Sequence, residues 1–168
     1  MRLIAFLLCL TVSYQSKSIE QSYDKTSNQT IAASEAIEIK LDDELLTKNF
    51  TLKIQCIAEG AIMFRRPENA HLVFRTLSHR WRFLEESERE AIFKIDDVIF
   101  RPPNKPVYTS VIGEKFLDES LTYEVKMSVL EKWIDKSRID VKIGGVSGKL
   151  REKHLGKIKE FLDTLPRT

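Results

Sequence analysis

The residues best suited to hold a polar ligand without reacting with it gather around Trp81. His79, Arg80 and Arg82 surround this indole. An exposed indole can stack on the C–H face of a sugar ring, because the centre of its π face is negative. Arg65, Arg66 and Arg75 extend a basic surface able to donate to hydroxyls or to hold sulfate or phosphate. Glu85 and Glu86 follow closely and could orient an arginine or accept from a hydroxyl. Side chains alternate along a strand, so these residues cannot all share one face. The carbohydrate-binding candidates are therefore Arg65, Arg66, Arg75, Trp81, Glu85 and Glu86.

Covalent and acid–base chemistry find less support. Of the three histidines, His71, His79 and His154, the first two are expected at the surface, and no spacing of His, Cys and carboxylate suits a metal. Cys56 lies on an alternating stretch and reads as a small buried apolar residue rather than a reactive thiol. No G-x-S-x-G elbow or Gly-rich phosphate loop occurs. Asp42-Asp43 and Asp96-Asp97 read as turns, since neighbours on a strand face opposite ways. The expectation is a protein that is not an enzyme and uses no cofactor or metal.

These residues sit in a chain of 168 residues, the length of one domain with short extras. Arg2 followed by the apolar run Leu3 to Leu10 is the pattern of a signal peptide, within 1–18, cleaved somewhere in 13–18. Cys9 would leave with it. Cys56 would then be alone, which precludes an intrachain disulfide. Two sequons, at Asn28 and Asn49, suit a secreted, extracellular glycoprotein. No later stretch is apolar enough to span a membrane. Net charge is +2, and losing Arg2 lowers it by one, so the overall charge makes no case for nucleic acid as a partner.

The segment 19–35 is polar and aperiodic, and is expected to be a flexible leader to a domain over 36–168. Ile37, Ile39 and Leu41 alternate with Glu38 and Lys40. Phe50, Leu52, Ile54 and Cys56 alternate with Thr51, Lys53 and Gln55. Both patterns predict half-buried strands. Further short strands are expected over 61–64, 72–75, 81–84, 91–95, 98–100, 107–112, 121–129 and 139–143. Three prolines in 101–106 exclude a central strand and predict a loop between sheets. Trp133 is expected in the core. Leu155, Ile158, Leu162 and Leu165 have helical spacing, although 158–162 could also form a last strand. Many short strands with frequent turns indicate an all-β sandwich or barrel.

Three stretches resemble galectins, the β-galactoside-binding lectins. Phe50 to Cys56 is similar to the family's early core strand. The series Ala61–Pro67, Leu72–Thr76 and Trp81–Glu86 is similar to its binding face, and Tyr123 to Gly145 to its late hairpin. The family's sugar contacts carry over poorly. Phe64 stands where His precedes Asn-Pro-Arg, Arg66 and Glu68 replace the Asn and Arg around Pro67, and Thr76 replaces the Asn of Val-Arg-Asn. Trp81 alone matches, with Glu85 or Glu86 in a shifted register. The resemblance implies an all-β, galectin-like jelly-roll β-sandwich (concanavalin-like), with a short C-terminal helix as one outcome for the tail. It implies a non-catalytic carbohydrate binder with a divergent site and a glycan or glycoprotein partner. The alternatives are a protein-interaction module on the same fold that has lost sugar binding, and a small apolar-ligand carrier.

Overall fold

The alternation around Phe50 builds the strand on which the large sheet is laid. The computed structural model describes residues 19–42 and 49–167. The signal-peptide expectation for 1–18 lies outside the described residues. Eleven strands run β1 (Ile19–Asp24), β2 (Gln29–Ser34), β3 (Ile37–Glu38), β4 (Asn49–Glu59), β5 (Asn69–Ser78), β6 (Ala91–Ile95), β7 (Val98–Phe100), β8 (Val107–Ile112), β9 (Leu117–Lys126), β10 (Arg138–Ile143) and β11 (Val146–Arg151). Two α-helices, α1 (Met127–Trp133) and α2 (Glu152–Thr164), and a 3-10 turn (Glu86–Arg89) complete the described elements.

All strand pairs are antiparallel. One sheet has the order β1-β2-β4-β5-β9-β8, with β3 also against β4; the other is β11-β10-β6-β7. Their inner faces enclose one core, so the all-β sandwich expected from the strand pattern is the fold. Phe74 of β5 stands 6.0 Å from Phe93 of β6 across that core, and Phe93 lies 4.9 Å from the fully buried Trp133. Phe50, Leu52, Ile54 and Cys56 all point inward, as their period requires.

Several expectations are corrected. The segment 19–35 is no flexible leader: β1 and β2 form a hairpin joined to β4. Its composition hides this because its buried face is made of small residues. Thr30 Oγ1 donates to the Gly60 carbonyl at 2.6 Å, and Ser34 Oγ accepts from Ile54 N at 2.9 Å. Those partners satisfy hydroxyls that would otherwise be costly to bury. The strand expected over 121–129 ends at Lys126. Met127, Leu130 and Trp133 continue at helical spacing and are all buried. The stretch 61–64 is a bend following Gly60, and leaves Phe64 80% exposed. Tyr123 to Gly145 is not a hairpin, since β9 pairs with β5 and β8 while β10 pairs with β6 and β11. The tail 152–164 is helix, with Leu155, Ile158, Phe161 and Leu162 on its buried side.

Candidate functional site

Strand β5 decides where the six nominated residues fall. Arg65 and Arg66 precede it, and Trp81, Glu85 and Glu86 follow it. Ten extended residues span about 30 Å, so the structure places these two groups at opposite ends of the sandwich. Arg75 lies between them on the outer face of the large sheet. Its guanidinium grips Asp118 on β9 through two hydrogen bonds, 2.8 and 2.5 Å. That bond holds Arg75 above its ordinary range. Arg66 is structural: Nη1 donates to Glu131 on α1 at 2.6 Å and Nη2 to the Leu162 carbonyl of α2 at 2.6 Å. Arg65 is exposed.

The segment after β5 was expected to contain a strand over 81–84. It crosses to the small sheet as an irregular loop instead, because its backbone donors find a side chain rather than a neighbouring strand. The fully buried Glu119 of β9 accepts from Arg82 N at 2.8 Å and Phe83 N at 3.0 Å. Its Oε1 also accepts from the Tyr108 hydroxyl at 3.0 Å. Arg89 closes the loop from the other side. Its Nε donates to the Phe83 carbonyl at 2.8 Å and Nη2 to that of Leu84 at 2.6 Å, with the guanidinium 4.1 Å from the Tyr108 ring centre. A 3-10 turn, Glu86–Arg89, ends the crossing. It lies so close to Gly144 (φ 53°) that a Cβ there would collide with the Glu88 carbonyl oxygen.

Beside this turn opens a cleft of about 310 Å³. One wall is Glu86, Arg89 and Glu90. The other is the proline-rich segment 101–106, and Tyr123 contributes at the base. The Tyr123 hydroxyl donates to the Arg89 carbonyl at 2.7 Å, and burial pushes the phenol up. Arg101 Nε meets Glu90 Oε1 at 3.0 Å, and Lys105 bridges to Glu86. The Lys105 hydrogen bond holds the Glu86 carboxyl below the usual range. Of the six nominated residues only Glu86 lines this cleft. Trp81 is half-buried in the adjoining loop. Sequence reasoning missed Arg89, Glu90, Arg101, Lys105 and Tyr123. The available signal was a proline cluster flanked by Arg101 and Lys105, set against the charged run 85–90.

The remaining reactive groups are held elsewhere. Cys56 is buried, and burial pushes its thiol up to about 12. His71 lies partly exposed on the outer face of the large sheet. His79 packs 4.7 Å from Phe116. His154 is buried in α2, where Nδ1 accepts from Arg151 N at 3.1 Å. Burial, then Lys153, lowers its basicity. No three His, Cys, Asp or Glu side chains among the described residues are grouped to hold a metal. The sequon residues Asn28 and Asn49 both have exposed side chains. Asn28 accepts from the Tyr23 hydroxyl at 2.9 Å. No helix among the described residues is long and apolar enough to cross a membrane.

Comparison with family models, curated proteins and solved structures finds no match to this chain. What the cleft can do therefore rests on its own chemistry. Its walls place the carboxylates Glu86 and Glu90 beside three cations, Arg89, Arg101 and Lys105, with proline rings between them.

Proposed function

We propose that the protein is a secreted, non-catalytic carbohydrate-binding protein whose ligand is a neutral oligosaccharide held in the cleft between Glu86–Glu90 and Arg101–Pro106. The observation that carries the reading is that every charged side chain lining the cleft already has a partner. Glu86 and Glu90 are each matched by Lys105 and Arg101, while Arg89 is occupied with backbone carbonyls. A hydroxyl both donates and accepts, so adjacent carboxylate and cation groups suit it better than they suit an anion. The proline faces offer apolar surface to sugar C–H groups. The cleft is also of the size of known small-ligand sites, roughly 300–1,000 Å³.

The site differs from the one expected around Trp81 and the arginines, and the two are separable by experiment. A glycan array and a lactose column identify a ligand, and calorimetry then measures the variants. Glu90→Gln with Arg101→Gln should weaken binding about tenfold or more, as loss of charge-assisted hydrogen bonds of ~1.5–3 kcal/mol each would. Trp81→Ala should leave it within a factor of about two, corresponding to ~0.4 kcal/mol. Silence on both surfaces sinks the lectin reading.

A second reading has its own support. Among the described residues strand β8 is an edge of the large sheet, and Val107, Val111 and Ile112 on it are 64%, 65% and 74% exposed. An edge with unpaired backbone groups and apolar side chains can add a strand from another protein. Capture of a partner that free sugars do not displace, and that Val111→Lys abolishes, would favour this interaction module over the lectin.

A further inference from the structure

The outer face of the small sheet carries a charge arrangement that the fold does not neutralise. On β10, Arg138, Asp140 and Lys142 point outward, and pairing fixes their neighbours. Arg138 stands directly opposite Arg151 of β11, while Asp140 stands between Lys149 of β11 and Lys94 of β6. Lys142 is opposite Ser147 and Ile92, which makes it diagonal to both Lys149 and Lys94. Diagonal neighbours on a sheet are roughly 7–8 Å apart. Five cations therefore share one small surface around a single carboxylate of the sheet.

That carboxylate is already taken. Asp140 receives Arg138 through two hydrogen bonds, 2.8 and 2.9 Å, and Asp42 at the margin pairs with Lys149 at 3.3 Å. Lys94, Lys142 and Arg151 are exposed and have no carboxylate partner among the described residues. Like charges set directly opposite on a sheet oppose folding. A face that keeps such a cost is where a binding role is expected. The surface is also a trough of about 400 Å³, with Ile92, Ile99 and Gly148 among its lining.

We infer that this face binds a linear sulfated polysaccharide, with Lys94, Lys142 and Arg151 on successive sulfates. Lysine ammonium groups are compact point charges with three donors each, which suits sulfates presented at intervals along a flexible chain. A single-stranded nucleic acid would need aromatic platforms for its bases. None stands on this face among the described residues; the apolar side chains lining the trough are Ile92, Ile99 and Val141. The chain's net charge is only +2, so attraction comes from this array and not from the molecule's overall field. The face is distinct from the cleft at Glu86, and neither proposal depends on the other.

The test measures binding of the whole folded protein to immobilised heparin as a function of NaCl. Wild type should be retained at low salt. Lys94→Gln with Lys142→Gln should bind about tenfold or more weakly near 0.15 M salt, with the slope of log affinity against log salt reduced by about 2. A charge-matched control, Lys53→Gln with Lys126→Gln, should bind as wild type. Removing repulsion should not lower the melting temperature of the small-sheet variant, so weak binding cannot be a folding failure; Arg151→Gln provides a second, independent variant. The proposal is overturned if wild type ignores heparin, or if the Lys94/Lys142 variant binds as wild type. It also falls if desulfated heparin competes equally, or if oligo(dT) or phosphatidylserine vesicles bind more tightly than heparin.

Discussion

The two outer faces of this sandwich are built from the same residue types but treat charge in opposite ways. On the large sheet Arg75 lies beside Asp118, Lys53 beside Glu20 and Asn69 beside Glu124, each within bonding distance. On the small sheet Arg138 faces Arg151, and Lys94 and Lys142 share one diagonal. The paired face is self-satisfied and offers an incoming ion little. The small-sheet face, where Arg138 and Lys149 are paired but Lys94, Lys142 and Arg151 meet no carboxylate among the described residues, is poised for one. A surplus of charge becomes informative only after its partners have been counted, because most surface charge is neutralised locally or solvated.

A scale for that contrast comes from a carboxylate on neither face. Glu119→Ala removes the acceptor for two backbone N–H groups and the Tyr108 hydroxyl. It should destabilise the protein by about 3 kcal/mol in chemical denaturation, because buried donors are left unsatisfied. A loss below about 1 kcal/mol would show that the crossing loop is held by other contacts.

Asp118→Asn weakens the bidentate pair of the large sheet and should cost about 0.5–1 kcal/mol, less at high salt. Arg151→Gln on the small sheet should have the opposite sign, a gain of a few tenths of a kcal/mol from relieved repulsion. Its benefit should shrink as salt screens the repulsion. Equal signs for these two substitutions would break the comparison.

The smallest effect is a pH dependence from His154, which lies under β11 close to Lys153, Arg151 and Lys157. Its basicity is lowered on folding from the ordinary 6.5. The unfolded chain therefore takes up the proton first, and stability declines as pH falls below about 6.5. His154→Gln should flatten a melting curve series over that window. An unchanged slope would show that other groups carry the acid sensitivity.

Much of the fold was legible because strand alternation is a local property. Phe50, Leu52, Ile54 and Cys56 face the core as their spacing requires, and the prolines of 101–106 mark the passage between sheets. Elements whose driving force is tertiary were harder to see. The β1–β2 hairpin hides in a polar run because Thr30 and Ser34 are satisfied by distant backbone groups. Helix α1 follows β9 without a break in apolar pattern, and docks where Met127 N meets the Glu68 carbonyl at 2.8 Å. The 81–84 segment reads as a short strand, but the buried Glu119 captures its backbone instead.

For binding, sequence proximity misled. Residues 65 to 86 are close along the chain, yet an extended β5 puts their ends far apart, and only Glu86 reaches the cleft. Arg138 and Arg151 are thirteen positions apart and become direct neighbours through the β10–β11 pairing. The sequence by itself determined which side of an alternating strand such as β4 turns inward, since that follows from a two-residue period. Only the tertiary structure decided which strands lie together, because long-range pairing depends on the whole core, and with it which charges are answered and which stand open.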